Sequence, residues 1–180
     1  MQNNYDCWYV LFVKTGFEEE VAEQLRDELN ATGFSPFIPT KVSIYRRKGQ
    51  KSDFKQICFP GYIFIQSTNH ADEFRRIIFP VVYKIKNAYR FLHYGDDRND
   101  IEMCEDEKNC LHKLFGDEFC IEKVKLFKEG EVVKILSGPF VGCESRIKKI
   151  SSKKKEAVLA LEMFRNIIDV TISIDLIDTI

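Results

Sequence analysis

The chain is 180 residues long, 44% hydrophobic and 31% charged, a balance that supports a folded core and excludes global disorder. Its 27 basic and 28 acidic residues leave a net charge of −1, so no global field draws it onto nucleic acid. No apolar run approaches the roughly 20 residues that cross a bilayer, and Met1-Gln2-Asn3-Asn4-Tyr5-Asp6 has neither the basic nor the apolar segment of a signal peptide. A cytoplasmic monomer with no membrane partner is expected.

Trp8 to Val13 is aromatic and β-branched and predicts a buried strand that leaves through Lys14-Thr15-Gly16. Phe17, Val21, Leu25 and Leu29 recur at four-residue spacing behind Glu18, Glu19 and Glu20, with Gly33 as the stop. One amphipathic helix follows from that pattern, its acidic start favoured by the helix dipole. Phe37 to Tyr45 runs extended into the polar tip Arg46-Arg47-Lys48-Gly49-Gln50-Lys51-Ser52, and Phe54 to Gln66 returns as an apolar strand. This predicts a hairpin with a charged tip. His70 to Phe79 predicts a second helix stopped by Pro80, Val81–Lys86 and Tyr89–His93 two more strands, and Asp100–Leu114 a short helix.

That order predicts an α+β domain over residues 1–114, an antiparallel sheet covered by helices. Residues 115–127 show no sustained period and are expected to be a linker. From 128 to 180 the pattern changes to short strands at Val132–Leu136, Arg146–Ile150, Ala157–Phe164, Ile167–Ile172 and Ile174–Ile177. With glycine-bearing turns between them, they predict a small SH3-like β-barrel.

Charge is unevenly spread. Lys41, Arg46, Arg47, Lys48, Lys51 and Lys55 face only Asp53 in one stretch, and Arg146, Lys148, Lys149, Lys153, Lys154 and Lys155 face only Glu144 in another. Between them Asp96, Asp97, Asp100, Glu102, Glu105, Asp106 and Glu107 outweigh Arg98 and would repel phosphate. The six cysteines form no C-x-x-C pair, and Cys104, Cys110 and His112 match no familiar zinc spacing, so neither metal nor cofactor is expected. His70, His93 and His112 are dispersed, no Ser or Cys sits in a nucleophile motif, and no phosphate-cradling loop is present. No catalytic residue is expected.

The motifs Trp8-Tyr9-Val10, Thr15-Gly16-Phe17-Glu18, Pro39-Thr40 and Phe59-Pro60-Gly61-Tyr62-Ile63-Phe64, followed by Glu129-Gly130-Glu131-Val132-Val133-Lys134-Ile135, Ser137-Gly138-Pro139-Phe140-Val141-Gly142 and Met163-Phe164-Arg165, span almost the whole chain. In that order they resemble the NusG family of transcription factors, an N-terminal NusG domain followed by a KOW domain. The resemblance implies that Trp8, Phe59 and Tyr62 dock on the clamp helices of RNA polymerase. It directs Arg46, Arg47, Lys48 and Lys51 toward upstream DNA or the exposed non-template strand. In the family's housekeeping member the second domain binds Rho or a ribosomal protein through an Ile-Phe-Gly motif, matched here by Met163-Phe164-Arg165, but Asn166 departs from that pattern. The departures and the lysine-rich second domain look closer to LoaP, a specialised processive antiterminator. A factor of that type recognises an RNA hairpin in the nascent leader, the role implied for Arg146, Lys148, Lys149, Lys153, Lys154 and Lys155.

Each of these residues also has a plainer use. Trp8, Phe59 and Tyr62 suit a core, lysines suit a strand edge that must resist aggregation, and a hairpin tip is exposed whatever it does. Two other functions stay open: a general NusG factor coupling transcription to Rho or the ribosome, and a KOW-type RNA-binding protein independent of polymerase. A third relative, RfaH, stores its second domain as a helical hairpin, whereas the β-favouring run Ile167, Ile168, Val170, Thr171, Ile172 and Ile174 predicts a barrel here.

Overall fold

The computed structural model describes residues 6–29, 33–47, 50–129, 132–137, 141 and 146–177, apart from the side chains of 45–47, 50, 51, 128, 129, 132, 133, 136, 137, 176 and 177. In chain order the elements are β1 (Cys7–Val13), α1 (Glu18–Leu29), β2 (Phe34–Phe37), β3 (Thr40–Arg47), β4 (Gln50–Ile57), β5 (Tyr62–Ser67), α2 (Ala71–Val82), β6 (Ala88–Phe91), α3 (Glu105–Phe115), β7 (Cys120–Ile121), β8 (Val124–Glu129), β9 (Val132–Ser137), β10 (Ile147–Ser151), β11 (Glu156–Met163) and β12 (Asn166–Ile177). Their contacts gather the chain into two units, Met1–Pro39 with Phe59–Lys108 and Thr40–Cys58 with Asn109–Ile180.

In the first unit the strands form an antiparallel sheet ordered β2-β5-β1-β6. Because successive side chains of a strand point to opposite faces, Cys7, Tyr9, Leu11 and Val13 share one face. There they meet Val21, Ala22 and Leu25 of α1 and Phe74, Ile78 and Val82 of α2 in one buried cluster. The Tyr9 ring stacks on Phe74 with centroids 3.5 Å apart. On the opposite face Trp8 meets Phe37 edge-on at 5.2 Å and Phe64 at 6.2 Å, and Phe59 lies 5.7 Å from Phe64. The helices therefore cover one side of the sheet, and aromatic rings pack on the other.

The second unit holds a three-stranded sheet ordered β4-β3-β7 and a five-stranded sheet ordered β10-β11-β12-β8-β9. Ala157, Leu159, Leu161 and Met163 alternate inward along β11, as do Val170, Ile172 and Ile174 along β12. Period-two burial on two adjacent long strands is what one face of a curled sheet requires. β12 pairs antiparallel with β11 and parallel with β8, so it is the central strand of this sheet. Lys41 of β3 donates to the Thr171 carbonyl of β12 at 2.7 Å.

Several boundaries differ from the sequence-based expectation. Pro80 does not stop α2, which runs on to Val82. In the last turn the missing N–H removes a single intrahelical bond, and buried Ile78 and Val82 hold the turn on the sheet. Residues 83–87 consequently form turns, with only β6 following. The return from the hairpin is two strands, β4 and β5, split at Pro60-Gly61. Within residues 115–127 lie β7 and the start of β8, too short to leave a periodic signal. Ile167–Ile172 and Ile174–Ile177 belong to one strand, β12. The Gly138-Pro139-Phe140-Val141-Gly142 turn lies, but for Val141, outside the described residues.

The connection from β11 to β12 shows how tightly register is set. Met163 pairs with Asn166 across a two-residue turn in which Phe164 has φ 51° and Arg165 φ 60°. Both central residues in the left-handed region define the hairpin turn that prefers Asn-Gly. Phe164 is buried at 2% exposure, which offsets its strain, whereas Arg165 is exposed. Arg165→Gly is expected to stabilise the protein by about 0.5–1 kcal/mol, because the left-handed penalty exceeds the extra chain entropy of glycine. Urea denaturation of the two proteins measures it.

Candidate functional site

One carboxylate organises the end of the first sheet. Glu18 is 2% exposed at the first turn of α1; its Oε2 accepts the Gly16 N–H at 2.7 Å and its Oε1 the Gly61 N–H at 2.7 Å. The Thr15-Gly16-Phe17-Glu18 and Pro60-Gly61-Tyr62 motifs therefore meet through a single side chain. Tyr62 N–H returns to the Phe59 carbonyl at 3.2 Å, and Gly61 has φ 88°. With Pro60 before it, this is a type II turn that requires glycine at its third position. A Cβ on Gly61 would also stand 3.1 Å from Thr15 Oγ1 and 3.4 Å from the Val13 carbonyl oxygen. Val13 N–H donates to the Gly61 carbonyl at 2.8 Å, so the turn is fastened to the end of β1.

Beside this turn the aromatic face comes to the surface. Trp8 at 1% and Phe59 at 2% exposure are buried among Phe37 and Phe64, while Tyr62 is half-buried. Tyr62 lies 5.5 Å from Phe12, and Phe12 lies 5.5 Å from Tyr89, which is 55% exposed. Phe12 pairs with Arg90 and Val13 with Ala88, so Tyr89 is the extra residue of a bulge, and the bulge turns its ring toward Phe12. Phe12 and Tyr89 were absent from the expected trio because nothing in a linear pattern marks a bulge. Next to them a cleft of about 900 Å³ is lined by residues including Phe79, Tyr83, Tyr89, Arg90 and Arg98.

The basic residues divide into several groups. Lys48 and the side chains of Arg46, Arg47 and Lys51 lie outside the described residues, although the backbone pairs Arg46 with Lys51 in the β3–β4 hairpin. Arg146 donates to Cys110 Sγ at 3.1 Å, and Lys148 is paired with Asp169 at 2.6 Å. A register shift between Ile147 and Lys149 breaks the strand alternation and leaves Lys148 and Lys149 both exposed. Lys153 and Lys154 are exposed in the turn that follows, and Lys155 closes it at φ 58°. Among the described residues, no carboxylate pairs with Lys149, Lys153 or Lys154.

A family model described as NusG, transcription termination factor, matches residues 6–111, more than half of the chain. The chain belongs to the NusG family. Transcription termination/antitermination protein NusG of Vibrio cholerae is 23% identical over 162 residues, covering 87% of this chain and 86% of that protein. The Streptococcus pyogenes NusG is 27% identical over 163 residues, covering 87% of each. A solved structure of Thermotoga maritima NusG, which shows a domain interaction in that protein, aligns over 93% of both chains with a TM-score of 0.51 and 24% identity. The fold is therefore NusG-like, with a curled C-terminal sheet that fits a small KOW barrel, and the protein is a NusG-family transcription termination/antitermination factor. Among the described residues no helix is long and apolar enough to cross a membrane.

If Glu18 fastens the two NusG motifs together, its removal must strand two N–H donors. Glu18→Ala is expected to cost about 2–4 kcal/mol in urea denaturation, and Glu18→Gln, which keeps one acceptor oxygen, about half of that.

Proposed function

We propose that this NusG-family factor rides on RNA polymerase through residues 1–114 and tethers a structured leader RNA through residues 128–180, as a specialised antiterminator of the LoaP type. The observation that carries this reading is the hairpin of β10 and β11, where Lys149, Lys153 and Lys154 stand exposed with no acidic partner among the described residues, in a chain of net charge −1. Three exposed ammonium groups on one hairpin displace counterions from a phosphate backbone at one place, which favours an oriented contact over indiscriminate adhesion. Lys148, Lys155 and Arg146 flank that contact.

For the polymerase, Tyr62 supplies the accessible ring, with Phe12 and Tyr89 beside it, and Trp8 and Phe59 lie buried against Phe64 further along the same face. Partly exposed aromatics on a rigid base are the usual centre of a protein interface. The hairpin residues Arg46, Arg47, Lys48 and Lys51 extend the contact to upstream or non-template DNA. A general coupling role would use the Phe164-Arg165 turn to bind Rho or a ribosomal protein. Phe164 at 2% exposure offers little apolar surface for that, which favours the RNA reading.

Binding of the full chain to assembled elongation complexes and to structured leader RNA tests both halves. Tyr62→Ala is expected to weaken polymerase association about tenfold, equivalent to about 1.4 kcal/mol. Replacing Lys149, Lys153 and Lys154 with glutamate is expected to leave polymerase association intact and to lower the salt slope of RNA binding by roughly 2–3. An unchanged RNA slope overturns the tether; failure of the unaltered protein to join elongating polymerase overturns the whole reading.

A further inference from the structure

Three chemically different side chains converge at one edge of the first unit, on residues that neither the aromatic face nor the lysine hairpin uses. Cys7 opens β1, His70 precedes the first turn of α2, and Glu102 lies in the segment before α3. Cys7 Sγ is 3.4 Å from His70 Nδ1, and His70 Nδ1 is 3.0 Å from Glu102 Oε1. The three donor atoms all lie within 4.8 Å of one another.

Thiol and carboxylate approach the same imidazole nitrogen. A catalytic relay would use the two ring nitrogens for two different partners, so this arrangement is a convergence on a point and not a proton path. The second carboxylate oxygen is already fixed: Glu102 Oε2 accepts the Ala71 N–H at 2.9 Å and lies 3.1 Å from the Tyr9 hydroxyl. Holding one oxygen by outer hydrogen bonds while the other faces the centre is how proteins orient a carboxylate ligand. The Cys7 thiol is buried at 2% exposure, whereas the His70 side chain is 84% exposed, so the centre has a closed floor and an open side.

We propose that Cys7, His70 and Glu102 form a binding site for a zinc-like divalent cation, with a solvent molecule in the fourth position. A tetrahedral zinc ion, with bonds of about 2.3 Å to sulfur and about 2.0 Å to nitrogen or oxygen, holds these donors about 3.3–3.5 Å apart. The 3.4 Å sulfur–nitrogen separation already lies in that range, and the 3.0 Å nitrogen–oxygen separation opens into it with a shift of about 0.3 Å in the exposed His70 ring. A mixed sulfur, nitrogen and oxygen set suits zinc better than the hard cations magnesium and calcium, which take oxygen ligands. On binding, the thiol gives up its proton to solvent and the Cys7 thiolate becomes a ligand; no electron is transferred.

The full-length protein, stripped with chelator, is titrated with Co²⁺ as a coloured probe and then with Zn²⁺ in competition. A thiolate-to-cobalt charge-transfer band with tetrahedral ligand-field absorption is expected, saturating at one equivalent and displaced by Zn²⁺. Cys7→Ser is expected to abolish the charge-transfer band. His70→Ala, at a side chain too exposed to matter for folding, is expected to weaken affinity about tenfold or more. A Cys104→Ser, Cys110→Ser double variant is expected to keep the full signal. No band at stoichiometric cobalt, a band that survives Cys7→Ser, or an affinity unchanged by His70→Ala overturns the site. Each of these outcomes is independent of whether the protein joins polymerase.

Discussion

The Glu18 carboxylate is the constraint on which the first unit's accessible surface depends. A buried carboxylate has to be satisfied by hydrogen bonds, and here both oxygens receive backbone N–H groups from glycines that lie 45 positions apart in sequence, Gly16 and Gly61. Both donors sit in turns with positive φ. A side chain at Gly61 would strain the turn and crowd Thr15 and Val13. The charge at the helix start therefore has a second use beyond complementing the dipole of α1: it sets the position of Tyr62 against Phe12 at the end of β1.

From that anchor the rest of the aromatic face follows by alternation. Even-numbered residues of β1 point away from the helices, so Trp8 and Phe12 lie on one side with Phe64 and Tyr62 of β5. Toward Trp8 the face is sealed by Phe37 and Phe59, and toward Phe12 it is open beside Tyr89. A buried end gives rigidity, and an open end gives contact area. Rigid aromatic surface loses little entropy on association, which is why the proposed docking centre is placed at Tyr62 and not at the better-buried rings.

Much of this was legible in the sequence, and the reasons for the exceptions are specific. The strand at Trp8–Val13 was readable from its unbroken aromatic and β-branched run, the helix at Phe17–Leu29 from its four-residue apolar spacing, and the barrel strands from short β-favouring segments between turns. The motifs Thr15-Gly16-Phe17-Glu18 and Phe59-Pro60-Gly61-Tyr62 were readable as motifs, but not as partners, since the hydrogen bonds that join them are tertiary. Pro80 misled because a proline in a last turn costs only one helical bond, which buried neighbours outweigh. The shared exposure of Lys148 and Lys149 followed from their charge but not from strand alternation, which assigns them to opposite faces; a bulge puts both outside. Cys7, His70 and Glu102 had no linear signal at all, because they come from three separate elements.

The same alternation that opens the aromatic face separates it from the proposed cation site. Cys7 and Tyr9 are odd-numbered residues of β1 and lie on the helix-covered side, where Tyr9 stacks on Phe74 and its hydroxyl reaches Glu102. Phe12 and Tyr62 lie on the other side. A cation held between Cys7, His70 and Glu102 would tie the start of β1 to the first turn of α2 and the segment leading to α3, bracing the sheet from behind without touching the rings in front. One seven-residue strand thus carries two chemistries on its two faces, and a one-residue slip in its register would exchange them. The Glu18 bridge at its far end holds the neighbouring turn in the register that keeps them apart.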